Sequence, residues 1–256
     1  MWTSSELEKQ LADGRFKLFL EPHYNVDTMK IDAVETNLVY LNDENNMENA
    51  STFLPTLEEK DLVSILDMWT LNEACKIQRK LVEYQTKILP IYVNLSAWTV
   101  CNPYNVYDIV LTCKDFSLPD GAISFGLTST TPYLSIYGLN KSISFLQQKG
   151  MQVMLNRFGS IGTTLALFSD ISFDRLQIDE NFLKKAMKSQ RIDVILHHIV
   201  DLSINLKMHV IFDGIDTLNE YQYIKSLGGI YARGAFFGGN LTPEELIETD
   251  RGNDKR

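Results

Sequence analysis

The chain has 256 residues, 45% of them hydrophobic and 22% charged, enough for one large domain with a substantial core. A formal charge of −9 argues against a sequence-independent nucleic-acid binder, which needs a basic face, and it repels a free polyphosphate unless the site is locally positive. No segment reaches the roughly 18 apolar residues that span a membrane. Cys75, Cys101 and Cys113 are odd in number and lack CxxC spacing, so they read as ordinary cytosolic thiols.

The elements follow in chain order. "MWTSSELEKQLADGRF" is an amphipathic helix candidate with Ser4-Ser5 ahead of it, not a signal peptide, and the chain reads as cytoplasmic. Strand candidates lie at 15–22, 32–41, 88–96, 122–129, 151–158, 173–179, 208–216 and 230–238. The polar run "NDENNMENAS" (42–51) reads as a flexible surface loop, and "TDRGNDKR" (249–256) as a frayed tail. Residues 55–84 form one long helical stretch with Leu62, Ile65, Leu66 and Trp69 on its apolar face. Residues 181–206 form another, with Ile192, Ile195, Ile199 and Leu202 on one side. Trp98, just past "NLSA", reads as a buried anchor between strand and helix. His197 and His198 are neighbours on a helix, face different directions and cannot share a metal. "TLNE" (217–220) has capping-box spacing directly after a strand and marks a βα junction.

Eight strand-like runs with helices between them suggest a (β/α)8 barrel, an α/β fold. An open doubly wound sheet is the alternative, but no Gly-rich phosphate fingerprint follows an early strand. One domain covers 1–256, with a core of about 5–248 and no linker long enough to divide it. The active face of such a barrel is the rim of C-terminal strand ends. Taken strand by strand, that rim carries Glu35, Asn94, Gly126 and Ser129, then Asn156 and Arg157, Gln177 and Asp179, Asp213 and Asp216, and Arg233. No Ser-His or Cys-His pair offers a nucleophile and base, and metal-assisted hydrolysis needs several carboxylates around one or two cations.

The ordered series of motifs resembles the EAL domain, a family of bacterial phosphodiesterases that linearise cyclic di-GMP. "EPH" (21–23) resembles the family's QPI and "ETN" (35–37) its EAL, while NLS stands intact at 94–96. "GLTST" (126–130) resembles EITES, "NRFGSIG" (156–162) resembles DDFGTG, and "QID" (177–179) resembles KID. "FDGIDT" (212–217) resembles AEGVET and "RGA" (233–235) resembles QGY. Order and spacing hold over roughly residues 5 to 248. The resemblance implies a modified TIM-like (β/α)8 barrel, commonly dimeric, whose active members use two Mg²⁺ or Mn²⁺ ions. It also implies that Glu35, Asn94 and Asp179 are remnants of a metal-ligand set and that Asp213 stands for the general base, one methylene shorter.

The departures imply lost hydrolysis. By the resemblance, Gly126 replaces a metal-binding Glu, Asn156-Arg157 replace the paired aspartates, Gln177 replaces the lysine that positions water, Asp216 replaces a Glu and Arg233 replaces a Gln. These changes move the rim by four formal charges toward positive, and an arginine cannot shed its proton to make room for a cation. Arg157 or Arg233 is therefore expected to reach the orphaned carboxylates Glu35, Asp179, Asp213 and Asp216 and stand in for the ions. The reading is a non-catalytic EAL-like domain in cyclic di-GMP-type signalling, without a cofactor. It would act through a regulatory or signalling protein and self-associate through the helix after "NRFGSIG". The first alternative is a receptor that holds cyclic di-GMP without cutting it, with Glu21, Glu35, Asn94, Arg157, Asp179 and Arg233 around the ligand. Against it stand Asn37 in place of the family's Leu and the negative Glu21. The second alternative is a weak phosphodiesterase that retains Mg²⁺ or Mn²⁺.

Overall fold

The computed structural model describes residues 2–44, 46–59, 61–84, 88–127, 136–160 and 163–253. The chain opens with α1 (Ser4–Ala12), β1 (Phe16–Asn25), β2 (Ile31–Leu41), β3 (Met47–Asn49), α2 (Ala50–Glu58) and α3 (Val63–Tyr84). The middle holds β4 (Ile91–Leu95), α4 (Ala97–Cys101), α5 (Pro103–Asp115), β5 (Ile123–Leu127), α6 (Ile136–Gln148) and β6 (Val153–Phe158). The last third holds α7 (Leu167–Asp170), β7 (Arg175–Ile178), α8 (Glu180–Ala186), α9 (Gln190–Asn205), β8 (His209–Phe212), α10 (Leu218–Ser226), β9 (Tyr231–Ala232) and α11 (Pro243–Asn253).

Eight strands close a barrel in the order β1-β9-β8-β7-β6-β5-β4-β2, and β1 pairs back onto β2. The expected barrel is thus present, with one modification: β1 runs antiparallel to both of its neighbours. A hairpin explains it, because β1 and β2 are joined by a tight turn in which Asn25 Oδ1 accepts from the backbone of Asp27 and Thr28. From β2 to β9 through β4 the neighbours are parallel.

Alternation along each strand divides the apolar residues in two. Ile91, Val93 and Leu95 of β4, and Val153 and Leu155 of β6, face the helices and join the large outer core. Their in-between partners Tyr92 and Met154 pack with Ala33 and Ile211 in a small separate cluster. A third cluster ties α1, α2 and the start of α3 to β1 through Leu7, Phe16, Phe53, Leu57, Val63 and Leu66.

The structure revises several local expectations. The stretch 42–51 is not simply loop: Met47–Asn49 pair antiparallel with the end of β2, and Ala50 starts α2. Residues 55–84 are two helices, with Asp61 in the left-handed region (φ +55°) between them. Residues 181–206 are likewise divided into α8 and α9, and the buried stripe of α9 is Leu196, Ile199, Val200 and Ser203. Ile195 is exposed, because it lies a quarter turn off that stripe. Trp98 is 40% exposed rather than buried, since the short α4 buries Ala97, Thr99 and Val100 and leaves position 98 outside. The cap of α1 is Thr3, in a capping box with Glu6. The run 230–238 keeps only two strand residues, and α11 continues to Asn253, into the expected tail. The helix after "NRFGSIG" is only the four-residue α7. No helix among the described residues is long and apolar enough to cross a membrane.

Candidate functional site at the barrel rim

The same two-residue period builds the site. Two positions beyond the small inner cluster, the inward side chains turn polar: Ala33 is followed by Glu35, Tyr92 by Asn94, Met154 by Asn156 and Ile211 by Asp213. Arg175 is followed by Gln177, Ser124 by Gly126 and Tyr231 by Arg233. β1 runs the other way, so its order reverses and Glu21 stands opposite Glu35, with His23 opposite Ala33. Seven of the eight barrel strands thereby place one polar residue in a single layer, Asp213 and Arg233 standing just past the ends of β8 and β9, and β5 places Gly126 there.

Glu35 is the centre of that layer and is buried. Its Oε1 accepts from Asn94 Nδ2 at 2.9 Å and Asn156 Nδ2 at 3.4 Å. Its Oε2 accepts from Gln177 Nε2 at 2.9 Å and Arg233 NH1 at 2.9 Å, and lies 3.0 Å from His23 Nε2. Burial alone would raise this carboxyl, but the Arg233 charge and the His23 and Asn94 bonds overcome it and hold Glu35 at about 2. Burial lowers the proton affinity of His23, and because the Glu35 carboxylate can only accept, His23 Nε2 is the donor between them. Asn156 Nδ2 also donates to Asn94 Oδ1 at 2.6 Å. These two amides lie over Gly126, where a Cβ would stand 2.4 Å from Asn94 Oδ1 and 2.7 Å from Asn156 Nδ2.

Arg233 closes the other half of the layer. Its fork meets Asp213 bidentately, Nε to Oδ1 at 2.8 Å and NH2 to Oδ2 at 2.9 Å. NH1 reaches Glu21 Oε2 at 2.8 Å and Glu35 Oε2 at 2.9 Å, and the side chain is only 11% exposed. Desolvation works against the guanidinium, yet Glu35, Asp213 and Glu21 together raise its proton affinity. Glu21 rises to about 7, mainly through burial and only partly offset by Arg233.

The family model for the EAL domain matches residues 4–240. This chain belongs to the EAL domain family. The signaling protein YkoW of Bacillus subtilis is 22% identical over 244 residues, covering 94% of this chain and 30% of the relative. The cyclic di-GMP phosphodiesterase PdeF of Escherichia coli is 23% identical over 249 residues, covering 96% of this chain and 32% of the relative. The chain thus spans about a third of the length of these curated relatives. Among solved structures, PaMucR phosphodiesterase in its c-di-GMP complex superimposes with a TM-score of 0.86 at 21% identity, over 94% of this chain and 98% of that one. The FimX EAL domain of Pseudomonas aeruginosa bound to c-di-GMP gives 0.76 at 16% identity, over 93% of this chain and 95% of that one.

In this EAL domain the predicted rim residues divide into three groups. Glu21, Glu35, Asn94, Gly126, Asn156, Gln177, Asp213 and Arg233 come together as the layer described. Arg157 and Asp179 form a separate pair at 3.4 Å, with the Arg157 side chain 56% exposed. A register irregularity in β6 and a left-handed Arg157 (φ +53°) turn it outward, while its N–H donates to Gln177 Oε1 at 3.2 Å. Asp179 caps α8 by accepting from Asn181 and Phe182. Asp216 makes a third group, held by Lys184 at 3.3 Å and the Ala235 N–H at 3.0 Å. So the expected carboxylate cluster is divided, and Arg233 rather than Arg157 reaches its core. Ser129 lies outside the described residues. Phe158 is buried and stacks on Phe168, and Phe236 stacks on Tyr221.

Sequence reasoning missed His23 and Lys184. The signal for His23 was available: it stands two residues from Glu21 on the same strand face. The donor set does not suit a pair of divalent ions. Each of the five groups that hydrogen-bond Glu35 is a side-chain N–H donor, and a permanently charged guanidinium stands where cations would have to gather their carboxylates. Among the described residues, no group of three or more His, Cys, Asp or Glu is arranged to hold a metal ion.

Proposed function

We propose that this EAL domain serves cyclic di-GMP signalling without hydrolysing the dinucleotide, and that it acts by binding a regulatory or signalling protein. One observation carries the reading: both oxygens of Glu35 are taken up by five side-chain donors, from His23, Asn94, Asn156, Gln177 and Arg233. Active members of the family gather Mg²⁺ or Mn²⁺ on their rim carboxylates to activate water. Here the family's remnant ligand is spent on the protein's own amides and guanidinium, and the residue facing Asn94 and Asn156 is a glycine with no ligand atom. Incubation with cyclic di-GMP and Mg²⁺ or Mn²⁺, followed by chromatography, is expected to give no linear product above a blank. Metal-dependent turnover would overturn the reading.

A receptor role is the second reading, favoured by the half-exposed Arg157 guanidinium at the rim, which is free to meet a phosphate on its solvent side. Calorimetric titration of cyclic di-GMP separates the two. No heat supports the protein-binding module, whereas tight binding that ignores Mg²⁺ makes the domain a receptor.

A further inference from the structure

We infer that the pocket of Glu21, Glu35 and Asp213 is a guanidinium site, occupied from within the chain by Arg233, which thereby serves as the resident cation of the barrel rim. Three features carry this. The contacts are directional rather than point-like: Asp213 takes two parallel bonds along one edge of the fork, and NH1 is shared between Glu21 and Glu35 at the other. A planar guanidinium satisfies this arrangement, while a small ion would need the same oxygens drawn onto one point. The neighbouring donors also leave that oxygen no room for a metal ion, since Gln177 and His23 place N–H groups on the same Glu35 Oε2 that Arg233 NH1 meets. Finally, Arg233 leaves the sheet just past β9, where its own N–H is tied to Phe212 O and its carbonyl to the Ile215 N–H, so the side chain is launched from anchored backbone.

The inference concerns which cation the pocket takes and does not rest on the absence of hydrolysis. Its consequence is a fold whose rim is indifferent to divalent ions and chelators. The test uses the full chain and its Arg233→Ala variant, with thermal denaturation as the readout. Wild type is expected to melt at the same temperature in EDTA and in millimolar Mn²⁺. Arg233→Ala should melt about 10 °C lower, because a buried carboxylate group loses its partner. Millimolar ethylguanidinium should restore most of that loss in a saturable way, and ethylammonium or Mn²⁺ should not. A second variant, Arg233→Lys, keeps the charge and loses the fork; it should also melt well below wild type, and it remains informative if the alanine variant does not fold. Saturable Mn²⁺ stabilisation of wild type or of Arg233→Ala would overturn the assignment, as would a lysine variant as stable as wild type. Turnover of cyclic di-GMP without Mn²⁺ binding would sink the non-hydrolytic reading and leave this one standing; Mn²⁺ binding without turnover would do the reverse.

Discussion

At position 126 a missing side chain decides the shape of the site. Asn94 and Asn156 close over Gly126 and hydrogen-bond to each other, and both direct their amides at Glu35. A methyl group there would meet Asn94 Oδ1 at 2.4 Å, and the short amides of the half-buried Asn94 and the buried Asn156 cannot retreat without breaking those bonds. Gly126→Ala is therefore expected to cost about 1–3 kcal/mol, read as a fall of several degrees in melting temperature. An unchanged melting point would mean that the amide pair is loose. The residue types of this layer were readable in the sequence, but their partners were not. Arg157 and Arg233 looked equivalent as candidate cations, and the bulge in β6 that turns Arg157 outward has no marker in "NRFG".

Elements were legible where their ends carry their own chemistry. The capping box at Thr217 and Glu220 is present as expected, with the Thr217 hydroxyl accepting from the Glu220 N–H and the Glu220 carboxylate accepting from the Thr217 N–H. It starts α10 directly after the turn that carries Asp213 and Asp216. Thr217→Ala should lower stability by about 1 kcal/mol, and Thr217→Ser by much less, in urea denaturation. Equal losses in the two variants would show that the methyl group, not the cap, matters. The helix breaks were harder to see. Residues 55–84 and 181–206 keep an apolar rhythm across their breaks, and only the tertiary path of the chain forces the turn at Asp61 and the one between α8 and α9.

At the scale of the whole molecule, α3 is bolted to the barrel by a buried acid. Asp67 Oδ2 accepts from the Ser96 N–H at 2.9 Å and the Thr99 hydroxyl at 2.6 Å, just past the rim residue Asn94. Burial outweighs these two bonds and, with Glu58 nearby, lifts the Asp67 carboxyl to about 7 from its ordinary value of 3.8. The folded protein thus holds this proton more tightly than the unfolded chain. The stability it contributes is complete below pH 3.8 and is lost as pH rises through about 7. Asp67→Asn should remove a slope of up to about 1.4 kcal/mol per pH unit from unfolding free energies measured between pH 4 and 7. Glu21 shifts in the same sense, so a residual slope of the same sign should persist. A variant with the full wild-type slope would place Asp67 outside the titration.

The sequence by itself determined the barrel and the composition of its rim. Strand alternation is a local property: a residue two steps along a strand returns to the same face, so a polar layer above an apolar inner one is written into the runs that carry Ala33-Glu35, Tyr92-Asn94, Met154-Asn156 and Ile211-Asp213. The motif order gave the family for a related reason, since six of the eight motifs begin in the last residues of a strand or just past it. Only the tertiary structure decided how the layer is wired. β1 runs antiparallel because a tight hairpin joins it to β2, and this brings Glu21 and His23 up against Glu35. Arg233 meets Glu21, Glu35 and Asp213 across as many as 212 positions of chain, and Asp179 and Asp216 are drawn off to Arg157 and Lys184. Coulomb attraction and hydrogen-bond geometry act through space and not along the chain, so which charge neutralises which becomes fixed only when the barrel closes.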